Sequence, residues 1–470
     1  VPVFGGDGMA DSAFLDDFSA PGAANGVQAT KPRAGSSAGD FNDRCAADDT
    51  CAGGIYTGET YDAVMMIGAA HNMGGDDMAG HLNMVGTAYA GASGTHTFTA
   101  DGDVGGAGYD ICRFDALSST DVFFSCRSYW TLEDGIAASE FTGTTVKIGL
   151  LNPITGPIAI YAPGFTAAAA IAMQTINIAG WGSGLQFELV TADSGCDGTV
   201  AATAAQALVD AGVVAVAGAA CSGATMGANA VLSAAGIPMI SYASTNPGLS
   251  DSTAYPNFFR VVPSDAIQGP ALSDVVTNRG SSNPALLYMT NDYGSGFADS
   301  FEAAWGTDNL CTKIGYEETT TDFTSQVSAV VSEGCDSVVL ISYAADGAAI
   351  VEELASQSFS GAIYGGDGIA EEGLCTSMAT NATCAGIVAT KPAAGTPSER
   401  SVAFGMLCGA NSYCADGIYT AETFDALIII AYSVFGLASS PPGTPLASMI
   451  AVVGQGFVGA SGIHSFNADG

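Results

Sequence analysis

Val146-Lys147-Ile148-Gly149-Leu150-Leu151 is a short apolar run that reads as a strand, and it opens a long alternation of two kinds of segment. An Ala-rich helical stretch follows at Gly164 to Ile178, then a strand at Leu185 to Thr191 and a helix at Val200 to Asp210. Val213 to Ala219 continues as strand, Thr225 to Ala235 as helix and Pro238 to Ser241 as strand. A second series starts with a strand at Ala285 to Met289 and a helix at Ser295 to Trp305. Strands at Thr312 to Tyr316, Ser337 to Ile341 and Ala362 to Tyr364 then alternate with helices at Phe323 to Ser332 and Gly347 to Gln357. β-branched runs separated by helices give parallel sheets flanked by helices, an α/β class. Two such series joined by a middle stretch around Phe258 to Val262 predict two lobes facing a cleft, with ligands beyond the carboxyl ends of the strands.

The residues before this alternation repeat its end. Phe4-Gly5-Gly6-Asp7-Gly8 returns as Tyr364-Gly365-Gly366-Asp367-Gly368, and Ala29-Thr30-Lys31-Pro32 as Ala389-Thr390-Lys391-Pro392. Gly54-Ile55-Tyr56-Thr57 returns as Gly417-Ile418-Tyr419-Thr420, and Gly91-Ala92-Ser93-Gly94 as Gly459-Ala460-Ser461-Gly462. The offset grows from 360 at Asp7/Asp367, through 363 at Asp62/Asp425, to 368 at Asp101/Asp469, as it does when loops of diverged copies take small insertions. A period this long is a domain. Residues 1–131 are therefore expected to be the closing part of a preceding module, second lobe plus a hairpin (Asp110 to Asp115 with Val122 to Trp130). Residues 132–145, rich in Gly, Ser, Thr and Ala, are the expected linker, and 146–470 a nearly complete two-lobed module without its own hairpin.

The 470 residues are 48% hydrophobic and only 12% charged, enough to bury substantial cores. A net charge of −36, from 47 acidic against 11 basic residues, repels phosphate backbones and anionic lipid surfaces, so nucleic acid and membrane-surface partners are not expected. No basic leader or uninterrupted apolar run of spanning length is evident, and the chain reads as a mature or excised piece. The twelve cysteines form no CxxC but fall into neighbours that close six short loops: Cys45 with Cys51, Cys112 with Cys126, Cys196 with Cys221, Cys311 with Cys335, Cys375 with Cys384, and Cys408 with Cys414. The first and last pairs are repeat equivalents. Six structural disulfides place the chain in an extracytoplasmic compartment: periplasm, cell surface or medium. Asn381-Ala382-Thr383 fits a glycosylation acceptor there.

Six motifs in order carry a resemblance: Thr155-Gly156-Pro157-Ile158-Ala159, Cys196, Cys221-Ser222, Ala243-Ser244-Thr245-Asn246-Pro247 with Gln268-Gly269-Pro270, Asp292-Tyr293-Gly294-Ser295-Gly296, and Gly365-Gly366-Asp367-Gly368. With them, residues 146–470 resemble the leucine/isoleucine/valine-binding type of solute-binding protein of ABC importers, which has the type 1 periplasmic binding fold. The resemblance implies that Ser222 and Thr245 donate to a ligand carboxylate and that the Ala243 carbonyl and Asp367 hold its ammonium. Tyr293 and Tyr343 would close from the second lobe and Tyr161 would form a wall of the first. The family's acid is usually Glu, so Asp367 is one methylene shorter, and Asp7 is its equivalent in the partial copy. Each residue also has a plainer reading: Ser222 as a helix N-cap, Thr245 and Asp367 as turn residues, the tyrosines as interface packing.

Other chemistry is thin. His71 and His81 with Asp76 and Asp77 sit in a loop better read as solvated than as a metal site, and His96 and His464 read as packing on equivalent strands. No cofactor or metal motif, Walker loop, nucleophile elbow or Ser-His-Asp spacing is visible, so an enzyme is not expected. The first expected function is an extracytoplasmic receptor that closes on an amino acid or similar small polar metabolite and presents it to an ABC permease. The second is a structural subunit of a surface layer, sheath or filament in which copies self-associate.

Overall fold

The computed structural model describes residues 3–33, 41–46, 51, 56–104, 108–116, 122–131, 133–139, 143–182, 184–379, 384–393, 395–438 and 440–467. The acceptor sequence at Asn381 lies outside them. The chain divides into two compact units, 1–143 with 178–185, and 144–177 with 186–470.

In the first unit β1 (Phe4–Gly5) precedes β2 (Gln28–Pro32), helices α1 (Phe41–Ala46), α2 (Thr57–Asn72) and α3 (Met78–Val85), and a small hairpin of β3 (Tyr89–Ala90) and β4 (Thr95–His96). Strands β5 (Tyr109–Ala116), β6 (Val122–Thr131) and β7 (Gly135–Ala138) complete a sheet of order β1-β2-β5-β6-β7, parallel only between β1 and β2. The expected hairpin is β5 and β6, with Cys112 opposite Cys126. The stretch expected as a linker carries a strand instead: β7 pairs Ile136 with Trp130, because the turn at Asp134 and Gly135 lets the chain fold back on β6. A small core of Ala24, Val27 and Phe114 packs against Phe14, Phe18 and Phe124.

The second unit holds two parallel sheets. The first lobe contains β8 (Thr144–Asn152), α4 (Ala162–Gly182), β9 (Leu185–Asp193), α5 (Gly198–Asp210), β10 (Ala215–Ala217), α6 (Ser222–Ala234), β11 (Met239–Ser241) and β12 (Phe258–Arg260). Its strand order is β12-β11-β10-β8-β9, so the middle stretch around Phe258 joins the sheet as an edge strand, parallel to β11. Ile148, Leu150 and Leu151 are buried, as expected of a strand covered by helices on both faces. The second lobe runs α7 (Asp265–Asn278), β13 (Pro284–Met289), α8 (Asp292–Trp305), β14 (Thr312–Tyr316), α9 (Thr324–Glu333), β15 (Ser337–Ile341), α10 (Ala344–Ser356), β16 (Ala362–Gly365), α11 (Glu372–Thr376) and β17 (Val388–Ala389), in sheet order β14-β13-β15-β16-β17. Helix starts follow local chemistry: Asp197, Ser264 and Asn291 accept backbone N–H groups at the ends of α5, α7 and α8.

The chain then adds α12 (Glu399–Cys408), α13 (Ser412–Ala415), α14 (Thr420–Leu437), α15 (Leu446–Val453) and a hairpin of β18 (Gln455–Val458) and β19 (Ile463–Ser465). These return to the first lobe. Helix α14 packs on β10 and β11, Phe435 meets Phe187 at 5.4 Å and Phe466 meets Phe259 at 5.2 Å between ring centroids. The apolar face of α14 thus finds its cover in the first sheet. Two segments, Ala159–Gly180 and Thr420–Leu437, are long and apolar enough on average to cross a membrane, though polar residues such as Gln174 and Glu422 interrupt both. In the second of these, Leu427, Ile428 and Ile430 are spent on packing and have no exposed surface.

The repeat is visible atom by atom. Phe4 pairs with Gln28 across β1 and β2 as Tyr364 pairs with Val388 across β16 and β17. Asp62 accepts from Ala92 N, Ser93 N and Ser93 Oγ at 2.6, 2.8 and 2.6 Å, and Asp425 from Ala460 N, Ser461 N and Ser461 Oγ at 2.7, 2.8 and 2.6 Å. All six disulfides are formed as paired in the sequence.

Candidate functional site

Between the lobes of the second unit lies a narrow cavity of about 40 Å³. Helix α6 starts on one side of it, with Cys221 as the N-cap and Ser222 as the first helical residue. The Cys196–Cys221 disulfide ties this helix start to the loop after β9. Ser222 is buried, and its Oγ accepts from Asn246 N at 3.3 Å. The hydroxyl proton is thus free to point at an anion, where the helix N-terminus adds a favourable dipole.

Asp367 faces it from the second lobe, in the turn after β16. Tyr293 donates to its Oδ1 at 2.9 Å, Gln268 Nε2 to the same oxygen at 3.3 Å, and Tyr419 to its Oδ2 at 2.7 Å. Burial pushes the Asp367 carboxyl above its ordinary value, and the Tyr419, Tyr293 and Gln268 donors pull the other way. Tyr293 and Tyr343 stack with centroids 5.4 Å apart and planes 7° from parallel, forming a lid from α8 and the start of α10. Tyr161, Ile158, Phe165 and Ala243 line the first-lobe side. One lobe therefore presents a hydroxyl donor and a helix N-terminus, the other a buried carboxyl, with aromatic walls between. The arrangement can bind and orient a small zwitterion.

Six of the expected ligand residues converge here: Tyr161, Ser222, Ala243, Tyr293, Tyr343 and Asp367. Thr245 does not line the cavity. It is buried beside Asp265, whose backbone N–H donates to the Thr245 carbonyl at 2.8 Å, and its hydroxyl is near enough to favour that acid's ionised form. The next residue, Asn246, donates its backbone N–H to Ser222 Oγ and its side-chain amide to the Asp292 carbonyl. Burial first, then the charge of Asp367, holds Asp265 well above the usual carboxylate range.

Sequence reasoning missed Tyr419, Glu371 and Ile418. Tyr419 carried a signal: its equivalent Tyr56 donates to Asp7, so both copies keep a tyrosine on the same acid. Both tyrosines also have left-handed backbones, φ 58° at Tyr56 and 56° at Tyr419, just before a helix. The Tyr56 hydroxyl is correspondingly raised to about 12 by its bond to Asp7 and by burial. The histidines turn out to brace turns: Ser461 Oγ lies 3.0 Å from His464 Nε2, which is also 3.1 Å from Asp425 Oδ2. Serine donates to the carboxylate and one ring nitrogen serves both groups, so the Ser, His and Asp brought together here lack the relay order of a nucleophilic triad. In the first unit burial raises Asp62, but the Ser93 hydroxyl, Ser93 and Ala92 N–H groups and His96 hold it below the ordinary value.

Two α/β lobes with strand ends and helix starts converging on one polar cleft define a two-lobed solute receptor. The chain belongs to the periplasmic binding protein family, which matches over residues 145–401. It is 26% identical over 311 residues, 66% of this chain and 83% of the relative, to the leucine-, isoleucine-, valine-, threonine-, and alanine-binding protein of Pseudomonas aeruginosa. With the Leu/Ile/Val-binding protein of Escherichia coli it shares 26% over 250 residues, 53% of this chain and 67% of that one. Among solved structures it is similar to the branched-chain amino acid transporter substrate-binding protein LivJ of Streptococcus pneumoniae in complex with isoleucine (TM-score 0.61, 26% identity, 69% of this chain and 93% of that chain). A leucine-binding protein of Thermotoga maritima shares the fold (TM-score 0.62, 23% identity, 69% and 92%).

Proposed function

We propose that residues 144–467 form an extracytoplasmic receptor that closes its lobes on an amino acid and presents it to an ABC permease. The observation that carries this is the opposition of Ser222, at the start of α6, to Asp367 across one cavity. A carboxylate is matched by a hydroxyl and a helix N-terminus, an ammonium by a carboxyl that the tyrosines hold in place. Affinity for a zwitterion thus arises only when both lobes are in contact with it, which couples binding to closure. The similar proteins of P. aeruginosa and S. pneumoniae, named for amino acid binding and transport, support the same reading.

The first unit fits the closing part of another such module, because it reproduces the Asp–Tyr and Asp–Ser–His contacts of the second. Its Asp7 and Tyr56 would then serve a second cleft. The similar proteins named above are receptors and give no support to a surface-layer or filament subunit.

Calorimetry of the 470-residue chain with a panel of L-amino acids tests the receptor reading. Saturable heat with one site per chain is expected, and Asp367→Asn, which keeps an oxygen for the tyrosine donors but removes the charge, should abolish it. Absence of heat with every amino acid would sink the proposal.

A further inference from the structure

The cavity contains two polar atoms that the zwitterion leaves unused. Glu371, the residue before α11, has its Oε1 buried without a hydrogen-bond partner among the described residues, and so does the Tyr161 hydroxyl. Both residues line the cavity. They belong to different lobes yet meet around Gly373, where a Cβ would stand 3.3 Å from Glu371 Oε1 and 3.4 Å from the Tyr161 hydroxyl. A buried acceptor and a buried hydroxyl left without partners are costly, so their persistence at one end of a binding cavity points to groups on the ligand. The carboxylate end is marked by Ser222 and the ammonium by Asp367, which leaves this end to the side chain. Ile158 and Ile418 also line the cavity.

We propose that Glu371 and Tyr161 form a side-chain subsite that selects an amino acid with a hydrogen-bond donor on a short side chain, threonine over its isostere valine. This rests on the receptor reading above. Threonine would donate its hydroxyl to Glu371 Oε1 and accept from Tyr161, while valine, of the same shape, would leave both groups buried and unpaired. A site built to pair a hydroxyl rejects the analogue lacking it far more strongly than an apolar pocket rejects an extra methyl.

Titration calorimetry of the 470-residue chain with L-threonine and L-valine decides it. Threonine is expected to bind at least about tenfold more tightly. Glu371→Leu should bring valine level with threonine or ahead of it, Glu371→Gln should keep the preference because an amide oxygen still accepts, and Tyr161→Phe should weaken threonine but not valine. The ratio of the two affinities is the readout, since loss of folded protein would change both alike. Measurable binding with equal affinities in the unaltered chain would overturn the subsite and leave the receptor standing. No binding of any amino acid would overturn both.

Discussion

At the scale of single residues, chemistry tied to strand ends was legible and chemistry brought in by a distant helix was not. Asp367 announces itself because it ends a strand inside a Gly-Gly-Asp-Gly stretch that the partial copy repeats at Asp7, and Ser222 because it follows an apolar strand and precedes a helix. Thr245 carried the same signals, yet its side chain is buried beside Asp265 and does not line the cavity. Glu422 lies in the first turn of α14. Burial raises its carboxyl from 4.5 to about 7, helped by Asp425, while its own backbone N–H, His464 and Lys391 pull it down. A raised acid is favoured protonated in the folded state. Its penalty is absent below about pH 4.5, grows as pH rises to about 7 while the unfolded chain releases the proton and the folded one keeps it, and is constant above that. Glu422→Gln should therefore leave stability unchanged near pH 4.5 and raise it at pH 8 by on the order of 2 kcal/mol. Urea titrations at the two pH values measure it. An equal effect at both would show that the proton is not the cause.

At the scale of elements, one sequence pattern has two fates. Helices α2 and α14 align residue for residue, Asp62 with Asp425 and Ile67 with Ile430. On α14 the residues Leu427, Ile428 and Ile430 are fully buried by the first-lobe sheet, whereas Val64, Met65 and Ile67 on α2 are 63, 47 and 53% exposed. Nothing in the pattern itself distinguishes them, because burial depends on what packs opposite and not on the helix. Periodicity gives the apolar face, not its partner. Ile430→Ala should cost about 2–5 kcal/mol through lost burial and the cavity left behind. Ile67→Ala should cost no more than about 0.5 kcal/mol, as expected where the side chain is already in water. Chemical denaturation of the two variants compares them. Comparable losses would mean that the face of α2 is covered after all.

At the scale of the whole molecule, the alternation from Val146 onward was enough to predict two parallel sheets, and the cysteine spacing predicted the disulfides that close loops within each lobe. The edge role of Phe258–Arg260 and the strand at Gly135–Ala138 were not legible, since three or four residues are too few to show a period. Charge is a property that only the full chain carries. With 47 acidic against 11 basic residues, few carboxylates have a cation to pair with; Lys313 serves both Asp299 and Glu302, at 2.9 and 2.7 Å. The remainder repel one another, and compaction brings them closer than in the unfolded chain. Salt shortens the reach of that repulsion from about 10 Å at 0.1 M to about 3 Å at 1 M, which relieves the folded state more than the unfolded one. The melting temperature should therefore rise by several degrees between 0.05 and 1 M sodium chloride, roughly 1–2 kcal/mol for a chain of this size. The ion pairs at Lys313 would weaken over the same range, but exposed pairs contribute about 1 kcal/mol at most. Calorimetric melts across the series settle which term wins: a flat or falling melting temperature would mean that the acidic surface is spaced widely enough to be energetically silent.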